Sequence, residues 1–189
     1  MSNSRPATVH LTLSAFFVAI IAILAQIAVP LPFSPVPFTG QVIGVFLTGI
    51  LLPKRAALLT ILAYLLIGAA GMPVFSLARG GLYMLTGPSG GYLLGFIPAV
   101  LVLTLLLKNK PQPSLLQLIT AMLPALGLIY LAGTLQLGLL MQLSITQALL
   151  AGVAPFILFD LAKIMISALL SRQIKKSLHA GRLDQILHQ

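Results

Sequence analysis

Six apolar stretches run along the chain, divided by short segments rich in Pro, Gly and basic residues. The first covers residues 9–29. Prolines then alternate at Pro30, Pro32, Pro35 and Pro37, a pattern that forbids helix and favours stiff extended backbone. A short second helix is predicted over 39–52, closed by the charged turn Pro53-Lys54-Arg55. The third, 56–70, stops at Gly71 with Pro73 beyond it. A glycine-rich loop follows over 71–91. The fourth helix is predicted over 92–107, with a kink at Pro98, and ends in the polar turn Lys108-Asn109-Lys110-Pro111-Gln112-Pro113. The fifth covers 114–135 and runs past Pro124. Ser144-Ile145-Thr146-Gln147 carries the S-x-x-Q capping signature of a further short, interfacial helix. The sixth covers 155–174, with Pro155 in its first turn.

Composition decides the solvent. Of 189 residues 59% are apolar and only 7% charged, with a mean hydropathy of +1.09, whereas a soluble domain carries about a quarter charged residues. So thin a charged set cannot cover a water-facing surface. A bilayer crossing takes roughly 20 residues, so six crossings leave no room for a separate soluble domain. The expectation is one all-α polytopic membrane domain over 1–189. The first stretch is too long for a cleavable signal and no A-x-A site follows it, so it is expected to be retained.

Eleven Lys and Arg face two acids, Asp160 and Asp184, for a net charge of +9. In a soluble protein this excess would point to nucleic acid; beside membrane spans it is the ordinary orientation signal. With a cytoplasmic N-terminus and six crossings, the inner segments hold Arg5, Lys54, Arg55, Lys108, Lys110, Arg172, Lys175, Lys176 and Arg182. The outer loops hold Arg79 alone, and Lys163 lies within a span. This asymmetry predicts both termini in the cytoplasm of a cell whose inner membrane holds the chain.

Catalytic sets are missing. No G-x-x-x-x-G-K-[ST] loop occurs, His10, His179 and His188 lie in the terminal segments, there is no Cys, and Asp160 is the one carboxylate inside a span. Binding is therefore the better class, with no metal and no catalytic residue expected. Asp160 and Lys163, three apart, share one helix face. Each charge costs roughly 2.5–3.5 kcal/mol at the centre of a membrane helix. The pair either pins helices together or holds a polar ligand, and a carboxylate beside an ammonium suits a ligand with N–H donors and a carbonyl, as in a cyclic urea. In the loop, glycines such as Gly80 and Gly81 let main chain approach a ligand, and successive N–H groups cup anions. Arg79 reads as a solvated charge or as a fork-shaped carboxylate donor. Gln41 is a ligand contact or a buried hydrogen-bonding residue. Ala15 and Ala19 let another helix approach closely in lipid, either within the bundle or from a partner.

Together these residues resemble the BioY family, the biotin-specific S components of energy-coupling-factor (ECF) transporters. The resemblance spans residues 13–174 and rests on Pro35-Val36-Pro37-Phe38-Thr39-Gly40-Gln41, Gly71-Met72-Pro73-Val74-Phe75, Gly80-Gly81, Leu85-Thr86-Gly87-Pro88-Ser89-Gly90-Gly91-Tyr92, and Pro155-Phe156 with Asp160-Leu161-Ala162-Lys163. It implies a six-helix S-component fold that holds biotin near the outer face. Asp160 and Lys163 would engage the ureido ring, and the glycine loop would close over the ligand. Gln41, Phe75, Arg79, Gly80, Gly81, Tyr83 and Tyr92 complete the expected ligand-binding set. Ala15 and Ala19 match the family's A-x-x-x-A surface for the transmembrane coupling subunit, and two ATPase subunits would supply the energy. The family shows a more glycine-rich run where this chain has Ser76-Leu77-Ala78-Arg79. The rival readings are an S component for thiamine or riboflavin, a lipid transferase, and a ligand-free structural subunit. Thiamine, a cation, should want acids and aromatics rather than Lys163 and Arg79, and a transferase needs more carboxylates than one.

The charge asymmetry is testable because the chain has no Cys. With Lys54→Cys or Arg79→Cys introduced singly, a membrane-impermeant thiol reagent added outside should label position 79 and spare position 54. The reverse pattern would overturn the orientation.

Overall fold

A computed structural model of the chain describes residues 4–108 and 110–180. Asn109, Arg182, Asp184 and His188, which figured in the charge and motif assignments, lie outside the described residues.

The first apolar stretch forms α1, Ser4–Gln26. The proline-rich segment is extended as expected, but it is paired: β1, Ala28–Leu31, and β2, Ser34–Thr39, form an antiparallel hairpin. The fold is thus helical with one β-hairpin rather than all-α. The register irregularity between Val29 and Leu31 falls on Pro30, which has no N–H to donate to a ladder. The hairpin returns to the end of α1, where the Gly40 N–H meets the Leu24 and Ile27 carbonyls, both at 3.1 Å. A Cβ on Gly40 would lie 2.9 Å from the Leu24 oxygen, so a larger residue would push the hairpin away.

Next comes α2, Gln41–Leu51, buried at every position except Ile43. A helix apolar all round belongs in the middle of a bundle, and α2 packs there against α1, α5 and α8. After the Pro53 turn come α3, Lys54–Ala69, a single 3-10 turn at Ser76–Ala78, the short α4, Tyr83–Thr86, and α5, Gly90–Leu106. Neither the 3-10 turn nor α4 is announced by the periodicity of the 71–91 loop. α6, Leu115–Met141, runs well past the expected end near 135 and takes Pro124 in its stride. A capping box at Ser114 and Gln117 starts it. The expected box at Ser144 and Gln147 opens α7, Ile145–Gly152. α8, Ile157–Ala180, begins beyond Pro155, which sits in the preceding turn rather than in the helix, and extends past 174.

The core lies between α1, α2, α3, α5 and α6, with Tyr64, Phe46, Phe75 and Ile21 among its fully buried side chains. Large apolar residues also face outward, among them Leu11, Phe16 and Ile23 on α1 and Leu116, Leu131 and Leu139 on α6. Contiguous exposed apolar surface on this scale marks a membrane or an interface. Helix length alone does not supply six crossings. Among the described residues, Thr8–Gln26 and Leu115–Met141 are long and apolar enough, and α7 with α8, bent by 50°, adds a third. α2, at 11 residues, is only about 16 Å long against a core of about 30 Å.

Two clefts show how the ends are arranged. One gathers Val9 and Leu13 of α1, Leu51 of α2 with Leu52 just after it, and Ile174 and Leu178 of α8. The other joins Gln112–Gln117 at the start of α6 to Arg172, Lys175 and Lys176 of α8. The start of α1, the Lys54 turn, the start of α6 and the end of α8 therefore share one end of the bundle.

Candidate functional site

At the opposite end the first residues of α2 and α8 meet β2, α5, α6 and the 71–91 loop around a cavity. Gln41, Tyr92, Asp160 and Lys163 line it, together with Thr39, Ser76, Ser89, Phe96, Tyr130 and Phe156. Its walls are aromatic and aliphatic, with a few converging polar groups, the usual build of a small-molecule site.

The polar end is a chain of contacts. Lys163 Nζ donates to Asp160 Oδ1 at 2.6 Å, with both side chains buried. The Tyr130 hydroxyl donates to the other carboxylate oxygen, Oδ2, also at 2.6 Å. The ammonium lies 3.8 Å from the centroid of the Phe38 ring, a cation–π placement, and Phe159 meets Phe38 edge-on with centroids 5.0 Å apart. The pair therefore neutralises itself inside the protein. Two of the three ammonium donors and further carboxylate lone pairs remain for a ligand. Beside it, Gln41 is aimed by two neighbours: Nε2 donates to Tyr64 Oη at 2.6 Å, and Oε1 accepts from Thr39 Oγ1 at 3.0 Å. Tyr64 in turn donates to the Val74 carbonyl at 3.0 Å, linking this network to the loop.

A family model described as the BioY family matches residues 1–180. The chain belongs to the BioY family. The biotin transporter BioY of Thermotoga maritima is 39% identical over 163 residues, covering 86% of this chain and 94% of that protein. The probable biotin transporter BioY of Lysinibacillus sphaericus is 35% identical over 189 residues, covering 97% and 95%. A crystal structure of the S-component for biotin from an ECF-type ABC transporter superposes with a TM-score of 0.84 at 28% identity, over 93% of this chain and 95% of that one. Architecture and family thus agree with the resemblance read from the motifs.

Of the nine residues expected to bind ligand, Gln41, Tyr92, Asp160 and Lys163 come together on the cavity wall. Phe75, Arg79, Gly80, Gly81 and Tyr83 are not among its lining residues. Phe75 is fully buried against Tyr64, with ring centroids 5.5 Å apart. The Gly80 main chain crosses so close to the Met72 carbonyl that no Cβ fits between them. Gly81, at φ +107°, donates its N–H to the Gly68 carbonyl at 2.6 Å. Arg79 and Tyr83 are exposed. The glycines thus serve the folding of the loop onto the end of α3, and the loop supplies Ser76, Met84 and Ser89 to the cavity instead. Sequence reasoning missed Tyr130 and Phe38. The available signal was a lone Tyr in the apolar run of α6 and an aromatic residue in the proline motif.

Two glutamines hold the loop down. Gln26, at the end of α1, accepts the Ala78 N–H at 2.9 Å and donates to the Phe75 carbonyl at 3.3 Å. Gln136 of α6 donates to the carbonyls of Leu85 and Gly87, both at 2.8 Å. Leu77 and Ala78 adopt φ of 60° and 54°, a left-handed conformation that costs a residue with a Cβ about 1–2 kcal/mol. The Gln26 contacts flank this strained pair, next to Ser76 on the cavity wall. Gln26→Ala should therefore raise the hydrogen-exchange rate of the Ala78 amide at least tenfold while leaving α3 unchanged. Equal exchange in parent and variant would show that the loop is held by other means.

Proposed function

We propose that the chain captures biotin for uptake as the substrate-binding S component of an ECF-type ABC transporter. The observation that carries this reading is the buried Asp160–Lys163 pair opening onto an aromatic-walled cavity, in a chain whose relatives are biotin transporters. The ureido ring of biotin has two N–H donors and a carbonyl, which match a carboxylate acceptor and an ammonium donor side by side. Its apolar bicycle suits Phe96, Phe156, Tyr92 and Leu93. Gln41 offers its remaining amide N–H to the same cavity. Phe75, Arg79, Gly80, Gly81 and Tyr83 act through the loop, by setting where Ser76 and Ser89 stand.

On this reading the chain sits in the inner membrane with α1, α2, α3, α5, α6 and α8 as six crossings, the shorter ones completed by the hairpin and loops. The basic end, with both termini, faces the cytoplasm. No cofactor is required of this chain; ATP is used by two ATPase subunits, which act through a coupling subunit. Ala15 and Ala19 are exposed on α1 and form the docking face for that subunit. Ala15→Leu/Ala19→Leu should abolish co-purification with the coupling subunit and leave biotin affinity within about twofold. Loss of biotin binding instead would mean that the alanines serve internal packing.

The deciding experiment is isothermal titration of the purified protein with biotin. Asp160→Asn should weaken binding at least tenfold, equivalent to about 1.4 kcal/mol. Removing one charge leaves the other buried and unpaired, which costs roughly 3–5 kcal/mol of stability, so Asp160→Asn/Lys163→Met is the informative control. It should fold and still bind poorly. A double variant that folds and binds biotin like the parent would make the pair purely structural.

A further inference from the structure

We propose that the cleft between the start of α6 and the last turns of α8 binds the phosphate of an anionic phospholipid headgroup. Gln112, Pro113, Ser114 and Gln117 form one wall, and Arg172, Lys175 and Lys176 the other. Three cations stand within little more than one helical turn, at i, i+3 and i+4, where like charges repel. Among the described residues no group of opposite sign lies beside them. Asp160 is the one acidic residue among the described residues, and it lies at the other end of the bundle, already paired with Lys163. Lys175 is half-buried and has neither a hydrogen bond nor an ion pair among the described residues. On the facing wall Gln117 uses its side-chain oxygen to accept the Ser114 N–H, which leaves its amide NH2 as a further donor. The cleft is therefore built almost entirely of donors and positive charge, and an anion with several acceptor oxygens completes it.

The surroundings select a lipid over a soluble anion. Leu116, 69% exposed, adjoins Gln117, and Leu123 is exposed further along α6. On α8, exposed Leu169, Leu170 and Ile174 are interleaved with the basic residues. Apolar surface thus begins within a turn of the cations on both walls. A phosphate ester carrying acyl chains satisfies both parts at once, whereas free phosphate or an acidic peptide leaves the apolar part uncovered. Lys108 and Lys110, both exposed on the turn before Gln112, add to the attraction. The proposal rests on the chain being an integral membrane protein and is independent of which vitamin it carries.

The test measures retention of phosphatidylglycerol by the full chain in mixed micelles, with phosphatidylcholine as the zwitterionic control. A basic residue near an anionic surface contributes about fivefold. The parent should prefer phosphatidylglycerol at least tenfold, and Arg172→Gln/Lys175→Gln/Lys176→Gln should lose that preference while still binding biotin, which reports an intact fold. If the triple variant does not fold, Lys175→Gln alone should lose about fivefold. The proposal is overturned by a parent without preference, by variants that retain it, or by an equal loss in Lys54→Gln/Arg55→Gln at the same end, which would reduce the effect to general surface charge. Displacement of the lipid by millimolar inorganic phosphate would reassign the cleft to free anions. Unaltered lipid retention in the triple variant, with failed assembly onto the ATPase-bearing partners, would make it a protein contact.

Discussion

Two full charges placed inside a low-dielectric bundle impose conditions on everything near them. Burying an isolated carboxylate or ammonium is prohibitively costly, and mutual attraction offsets that cost only when the remaining donors and lone pairs are also met. Asp160 and Lys163 meet each other on α8, and the rest comes from elsewhere: the Tyr130 hydroxyl on α6 and the Phe38 ring on β2. The hairpin must therefore lie against the start of α8. It is held there by Ser34, which donates to the Ala151 carbonyl at 2.8 Å and so ties β2 to α7. Tyr92 makes a parallel link, donating to the Gly152 carbonyl at 2.9 Å. The bend between α7 and α8, with Pro155 in the turn, is what points Asp160 inward from this framework.

The same constraint explains the loop. Main chain that is neither helix nor strand is tolerated in a bilayer only where protein satisfies its polar groups. Here two glutamine amides do so, from α1 and from α6, while Tyr64 serves Val74. The loop lines the cavity with Ser76 and Ser89 and holds two residues in left-handed conformation. Gln26 belongs to the helix that carries Ala15 and Ala19, so α1 and the loop share a hydrogen-bonded link.

Charge is segregated along the bundle axis. The cavity end holds an internally neutral pair, and the opposite end gathers Lys54, Arg55, Arg172, Lys175 and Lys176 with no described acid among them. A basic end of this kind is attracted to an anionic membrane surface, and Arg172, Lys175 and Lys176 line the cleft between α6 and α8.

Residues close in the chain carried what could be read from sequence. Apolar stretches punctuated by Pro and Gly located the main helices. Ser144 with Gln147 announced α7, and the prolines of 30–37 announced extended backbone, because capping and φ restriction act within a few residues. Asp160 and Lys163 were legible as neighbours on one helix face for the same reason, since helix geometry alone brings i and i+3 together. What only the tertiary structure decided rests on distant pairs. Tyr130 reaches Asp160 across 30 positions, Gln26 reaches Ala78 across 52 and Gln136 reaches Leu85 across 51. No local periodicity encodes such meetings; they follow from which helices pack together. That packing also set Phe75, Gly80 and Gly81 to shaping the loop rather than lining the cavity, a choice that their residue types leave open.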